Sequence, residues 1–337
     1  MIRRNSSFFL FPLAVMNVLG FVFLYNDKNK TLGQMKTLPP EVKFEQRKET
    51  HCVPNKTRNV LIALAISDDI DIRSFIQTFE CRQHQTKTFW YFNVYNARND
   101  SKTQGGDNWR VVTKPITKIR FWVYHINPFE VKKEFNTSFN FVWFVDQDLE
   151  LSSFSFERFV DIAVMLDAGL AQPGIIAGCP TCRGSDHSTL NQGSMSDASV
   201  IAKSTDFIEI MSPLIKWNVW TKVHEKLKIF IDVYHFFNVT NWGPDFWWCG
   251  LAQHMMETNL LLLQTPCVVI HGSPIIHLDT RTIAKDKMYL DQSRRESEIQ
   301  KQVLSNFTNI NIEKRDYYVN DPLFAKKNDQ LTKIGFI

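Results

Sequence analysis

A chain of 337 residues, 44% of them hydrophobic and including 27 Phe, 9 Trp and 8 Tyr, is long enough to bury a large core and too aromatic to remain disordered. Its formal charge of +4 is mild, and its Lys and Arg are scattered among acids instead of forming the basic stripe that nucleic-acid binding requires. Nucleic acid is therefore set aside as a partner.

Residues 1–7 carry Arg3 and Arg4 and lead into Phe8–Tyr25, an uncharged run just long enough to span a bilayer. The run is longer than the apolar part of a cleaved signal and lacks small residues where a cut would fall, so an uncleaved membrane anchor is expected over 8–25. Arginines on its short side predict a cytosolic tail, with everything after Tyr25 in the lumen or outside. N-x-S/T acceptor sites follow the anchor at Asn29, Asn55, Asn99, Asn136, Asn238 and Asn306. All the cysteines (Cys52, Cys81, Cys179, Cys182, Cys249 and Cys267) follow it too, which fits an oxidising compartment and two or three disulfides of unassigned pairing. Cys179-x-x-Cys182 has no second such pair with which to build a zinc site.

Residues 26–57 are polar, contain Pro39-Pro40 and show no apolar period, so they read as a stem. The continuous apolar run Val60–Ser67 predicts a strand buried on both faces, with Asp68 and Asp69 opening a helix on which Ile72, Phe75, Ile76 and Phe79 recur at helical spacing. Thr88–Tyr95 and Trp109–Val112 read as further strands, and Thr117 to about Glu134 as helix broken at Asn127-Pro128. Phe141–Val145 is the next buried strand, followed by a helix over Phe156–Leu166. This alternation predicts an α/β fold with a mixed, mostly parallel sheet flanked by helices, whose ligands bind outside the carboxyl ends of the strands. Gly178–Lys203 has the composition of a loop over a site. Thr205–Met211 then reads as a strand, and Ser212-Pro213 as the start of a helix with Trp217, Trp220, Val223 and Leu227 on one face. A helix through Met256 and a last buried strand, Cys267–His277, complete a domain of residues 58–292, leaving 293–337 as a charged extension expected to wrap the surface or fray.

Asp146 and Asp148 stand at the carboxyl end of the Phe141–Val145 strand. In extended chain, residues two apart face the same side, so both carboxylates can approach one divalent cation, Mn²⁺ or Mg²⁺, that bridges to substrate phosphates. Such an ion stabilises a departing diphosphate as a Lewis acid. The bland alternative is that the pair starts a turn or caps the next helix. Trp242-Gly243-Pro244-Asp245 offers an acid at a helix start, either as a base for an attacking hydroxyl or as an N-cap near Phe246. Trp242, Trp247 and Trp248 can provide a sugar ring with a platform, although at least two of them are expected in the core. His271, late in the chain at a strand end, is a candidate further metal ligand, His277 is its competitor, and a satisfied core or surface role remains open for both.

From Val60 to about Ile283 the order of short motifs resembles the eukaryotic DUF707 family, best represented in plants. Asp146-Gln147-Asp148-Leu149 is similar to that family's D-E-D-L, with Gln147 replacing an acid but both outer aspartates kept. Phe156-Glu157-Arg158-Phe159 resembles its arginine-containing helix, and Gly169-Leu170-Ala171-Gln172-Pro173 its G-L-x-x-S-Q-P segment. Phe207-Ile208-Glu209-Ile210-Met211-Ser212-Pro213 resembles W-V-E-M-M-A-P, Trp242-Gly243-Pro244-Asp245 resembles W-G-L-D, and Ile270-His271-Gly272-Ser273-Pro274 resembles V-x-H-x-G-x-P.

The resemblance implies a GT-A-like, nucleotide-sugar-binding fold. With the anchor, it implies a type II Golgi membrane glycosyltransferase that moves a sugar from a nucleotide-sugar donor to a glycan or glycoprotein acceptor. On that reading Asp148 and Asp146 hold the metal, Asp146 also meeting the donor, and His271 completes the coordination. Asp245 is then the base or acceptor-positioning acid, and Glu209 and Trp242 contact the acceptor. Two rivals are an inactive transferase-like protein that binds a glycan or a partner, and a metal-dependent luminal hydrolase, for which the His and Asp ligands are too sparse.

Overall fold

The computed structural model describes residues 58–66, 72–80, 85–94, 105–113, 116–146, 148–151, 154–177, 200–260, 263–277, 287–308 and 312–318. All of them belong to the compact unit Glu49–Ile337. The expected anchor and stem, Asn29, Asn55, Asn99, Cys52, Cys81, Cys179, Cys182 and Gln147 lie outside the described residues. Among the described residues no helix is long and apolar enough to cross a membrane.

The chain runs β1 (Arg58–Ile66), α1 (Ile72–Glu80), β2 (Thr86–Val94), β3 (Gly105–Gly106), β4 (Trp109–Val112), α2 (Lys118–His125), α3 (Pro128–Glu134), β5 (Phe141–Val145), β6 (Leu149–Glu150), α4 (Phe156–Met165) and β7 (Ala168–Ala177). It continues through β8 (Val200–Ser204), β9 (Leu214–Lys216), α5 (Trp217–Asp232), α6 (Trp248–Glu257), β10 (Thr265–His277), α7 (Lys287–Val303), α8 (Ser305–Thr308) and β11 (Asp316–Tyr318).

The strands with the most continuous apolar runs are the ones buried on both faces. Val60, Leu61 and Ile62 of β1 and Val142, Trp143 and Phe144 of β5 have no exposed surface. β1 pairs in parallel with β2 on one side and β5 on the other, β4 extends the sheet beyond β2, and β7 and β10 form a second long parallel pair. β9 wedges antiparallel between β5 and β7. The full order is β11-β8-β10-β7-β9-β5-β1-β2-β4-β3, with β6 attached to β10, so this is a mixed α/β fold whose long central pairings are parallel and flanked by helices. From β1 the chain moves to β2 and β4 on one side, then returns to β5 on the other. That reversal makes the carboxyl ends of β1 and β5 a topological switch point, the usual ligand position in open α/β sheets.

Tryptophans fill the core, and the buried indoles find acceptors. Trp143 donates to Ser212 Oγ (3.1 Å), Trp220 to the Ile126 carbonyl (3.0 Å), Trp247 to Gln300 Oε1 (3.0 Å) and Trp248 to the Ile208 carbonyl (2.9 Å). Trp247 and Trp248 are therefore core residues and not a sugar platform. Cys249 at the start of α6 is disulfide-bonded to Cys267 of β10.

Several expectations need correction. Thr205–Met211 is not a strand: the strand is β8, and the following segment crosses the end of β5, its Met211 and Pro213 carbonyls accepting from Asp146 and Phe144 N–H. Pro213 precedes β9 instead of opening a helix, which begins only at Trp217. β7 was not foreseen, because Gly169, Pro173 and Gly174 interrupt its apolar run. Residues 293–308 and 312–318 do not fray: α7 buries Ser293, Glu296, Ser297 and Gln300, and β11 pairs with β8, so the folded body extends at least to Tyr318. The acceptor residues Asn136, Asn238 and Asn306 are exposed.

Candidate functional site

Asp146 directly follows the carboxyl end of β5, at the switch point. Its backbone N–H is held by the Met211 carbonyl (3.1 Å), and its carboxylate grips Lys118, the first residue of α2, with Nζ 2.7 Å from Oδ1 and 2.8 Å from Oδ2. Lys118 also donates to the Ile210 carbonyl (3.3 Å). Burial raises the Asp146 pKa, Lys118 opposes that rise, and the charges of Asp148 and Glu209 add to it. Since 26% of the Asp146 side chain still meets solvent, the ion pair is partly solvated and not in a dry interior.

Asp148 leads into β6, which pairs antiparallel with the end of β10 so that Leu149 faces His277. That pairing brings Asp148 Oδ2 to 2.9 Å from His277 Nε2. His271, six residues earlier on β10, has other company. Burial lowers its pKa to about 4, and the charges it feels are Lys203 of β8 and Asp316 of β11. The register shift between Ile270 and Ile275 separates the two histidines' surroundings. His277, and not His271, is thus the histidine brought to the aspartate pair.

Asp245 lies in a single 3-10 turn, Pro244–Phe246. The turn depends on Gly243, whose φ of +124° disfavours any side chain and whose position is closed by Gln300: an added Cβ would stand 2.2 Å from Gln300 Nε2. Gln300 donates to the Trp242 carbonyl (3.1 Å) and accepts from the Trp247 indole, so α7 clamps the turn from above. Asp245 does not cap α6. Its Oδ1 accepts from Gly243 N–H (3.2 Å), folding the carboxyl back over its own turn.

With 9% of its surface exposed, Asp245 has its pKa pushed up to about 7, first by burial and then by the charge of Glu209, against the Gly243 and Asp245 N–H groups and Lys118. Glu209 and Lys118 act on both Asp146 and Asp245, so the turn and the strand end share one electrostatic site. Glu209 is half-buried in the segment between β8 and β9, its N–H held by Gln172 Oε1 (2.7 Å). Trp242 is half-buried, with its ring edge-to-face with Tyr289 of α7 at 6.3 Å. Burial raises the Tyr289 pKa, and the charge of Asp146 adds to the rise.

The arrangement therefore gathers Asp146, Asp148, Glu209, Asp245, Lys118, His277 and Tyr289 at one end of the sheet. Lys118, Tyr289 and Gln300 were not foreseen. The first opens a helix and looks like an ordinary solvated lysine, and the other two belong to a helix with no apolar stripe. Asn241 Oδ1 accepts from Ile119 N–H (3.0 Å), tying the Trp242 turn to the start of α2 and hence Lys118 to Asp245.

Among the described residues no group of three or more His, Cys, Asp or Glu is preassembled around one ion position. A carboxylate and an imidazole side by side, Asp148 and His277, are nevertheless donors that a divalent cation can share with substrate and water. The 2.9 Å between Asp148 Oδ2 and His277 Nε2 is a direct hydrogen bond, which a bound cation would have to replace.

No known protein family matches the chain, and no curated protein matches it. Among solved structures, a mycobacterial protein is similar with a TM-score of 0.36 and 11% identity, over 77% of this chain and 84% of its own.

Proposed function

We propose that this chain is a metal-dependent glycosyltransferase that moves a sugar from a nucleotide-sugar donor to a glycan or glycoprotein acceptor. The observation that carries the proposal is the gathering of Asp146, Asp148, Glu209 and Asp245 around Lys118 at the switch point between β1 and β5. A site with separated acidic roles and one fixed ammonium suits the displacement of a diphosphate by a hydroxyl. The mostly parallel sheet and its switch point support the finer reading of a GT-A-like nucleotide-sugar fold, and the order of short motifs supports a relationship to DUF707. The apolar run at 8–25 and the exposed acceptor asparagines support a type II Golgi membrane protein with a luminal domain.

In this mechanism Asp148 and His277 would hold Mn²⁺ or Mg²⁺, which would supply Lewis-acid stabilisation of the diphosphate. Lys118 opposes the burial-driven rise of the Asp146 pKa and positions that carboxyl against the donor, and its own ammonium adds positive charge beside the phosphates. Asp245, with its pKa near neutrality, takes the proton of the acceptor hydroxyl as the new glycosidic bond forms and the electron pair of the old one leaves with the diphosphate. Glu209 raises the basicity of Asp245 and, in this reading, contacts the acceptor. Trp242, held against Tyr289, offers an apolar edge to the acceptor ring.

A thermal-shift screen of full-length protein in detergent, against uridine, guanosine and cytidine nucleotide sugars with and without Mn²⁺, tests the proposal. At least one donor should stabilise the protein, and more so with Mn²⁺. Indifference to every donor in both conditions would overturn it.

A further inference from the structure

A cleft of about 880 Å³ opens between the segment after α5 and the N-terminal half of α7, and none of the carboxylate-site residues lines it. Its size falls in the range of roughly 300–1,000 Å³ typical of small-ligand pockets. One wall is Tyr234, 40% exposed, whose ring is braced 5.7 Å from Phe230 and 5.5 Å from Phe236. Phe230 and Phe236 are themselves stacked at 5.8 Å, so the Tyr234 platform is held from behind.

The backbone beneath is unusual. His235 and Phe237 have φ of +56° and +60°, a region that side chains other than glycine seldom occupy. Buried Glu296 at the cleft floor accepts the Phe237 N–H (3.2 Å) and the Gln292 amide (2.9 Å), while Arg120 holds the Phe237 carbonyl (3.1 Å). The opposite wall presents Asp291 and Arg295, both exposed and one turn apart on α7. The lining cations Lys287 and Arg295 are balanced by Asp291 and Glu296, which disfavours a polyanion or a polycation as the occupant.

A braced aromatic face ringed by planar polar groups of balanced charge matches a pyranose, whose C–H face is apolar and whose rim is a set of hydroxyl donors and acceptors. We propose that this cleft binds a neutral oligosaccharide, with one sugar ring on Tyr234 and its hydroxyls bonded by Asp291, Gln292 and Arg295. The proposal stands whether or not the carboxylate site transfers sugar.

Saturation-transfer NMR and calorimetry on the full-length protein in detergent, with cellotetraose, maltotetraose, mannotetraose and galactotetraose as probes, test it. At least one tetrasaccharide should bind, and Tyr234→Ala and Arg295→Ala should each weaken it by about tenfold with unfolding unchanged. Phe129→Ala, which removes an exposed aromatic of α3 outside the cleft, should bind as wild type. Absence of binding by every probe, wild-type affinity in both cleft variants, or equal losses in Phe129→Ala and Tyr234→Ala would overturn it.

Discussion

Replacing Asp245 by asparagine keeps the size of the side chain and the oxygen that accepts from Gly243 N–H, and removes only the charge. Burial and the neighbouring Glu209 move this carboxyl from its ordinary 3.8 to about 7 in the folded chain. A carboxyl raised in this way binds its proton more tightly when folded than when unfolded. Its effect on stability is therefore least harmful at low pH and grows as pH climbs from the unfolded value to the folded one. At about 1.4 kcal/mol per pH unit, that interval amounts to roughly 4 kcal/mol. Urea unfolding of wild type and Asp245→Asn from about pH 4 to about pH 8 should show the variant gaining on the wild type by this order, with the gap flattening above about pH 8. Sugar transfer should fall ~100-fold or more in the same variant. A stability gap independent of pH would refute the buried-charge argument. A widening gap with transfer intact would keep the burial and remove Asp245 from the chemistry.

Gly243→Ala should lose at least about 2 kcal/mol in urea unfolding, because φ of +124° and the Gln300 amide 2.2 Å from the new Cβ oppose it together; wild-type stability would mean that α7 does not clamp the turn. Cys249→Ser should cost about 3 kcal/mol under non-reducing conditions, since the bridge closes a loop with a sequence separation of 18, and an unchanged midpoint would contradict that contribution. In Mn²⁺ titrations His277→Asn should weaken binding by at least ~10-fold while His271→Asn leaves it unchanged, and the reverse order would move the metal site away from Asp148.

The parts of the fold legible in the sequence are those whose periodicity reports burial directly. Val60–Leu64 and Phe141–Val145 are continuous apolar runs because both faces of β1 and β5 are covered, and Asp146 is conspicuous because it ends one of them. The inward face of α7 was illegible for the opposite reason. Ser293, Glu296, Ser297 and Gln300 recur at helical spacing, but they are polar, and Glu296 and Gln300 bury by bonding to the Phe237 backbone, the Trp242 carbonyl and the Trp247 indole. β7 was hidden by its own glycines, one of which is required: a Cβ on Gly169 would press to 2.8 Å on the Pro266 carbonyl. Lys118 was invisible as a site residue because nothing local marks it. Only the return of the chain from α2 to β5 brings it to Asp146, 28 residues later.

The central claim is that Asp148 serves a nucleotide diphosphate through a bound cation. It is tested most directly by transfer of labelled sugar from the stabilising donor, comparing full-length wild type with Asp148→Ala, each with Mn²⁺ and with chelator. The wild type should transfer with Mn²⁺, and transfer should be lost in the chelated wild type and in the variant while it still unfolds at the wild-type temperature. Transfer at the wild-type rate by Asp148→Ala, or transfer indifferent to chelator, would contradict it.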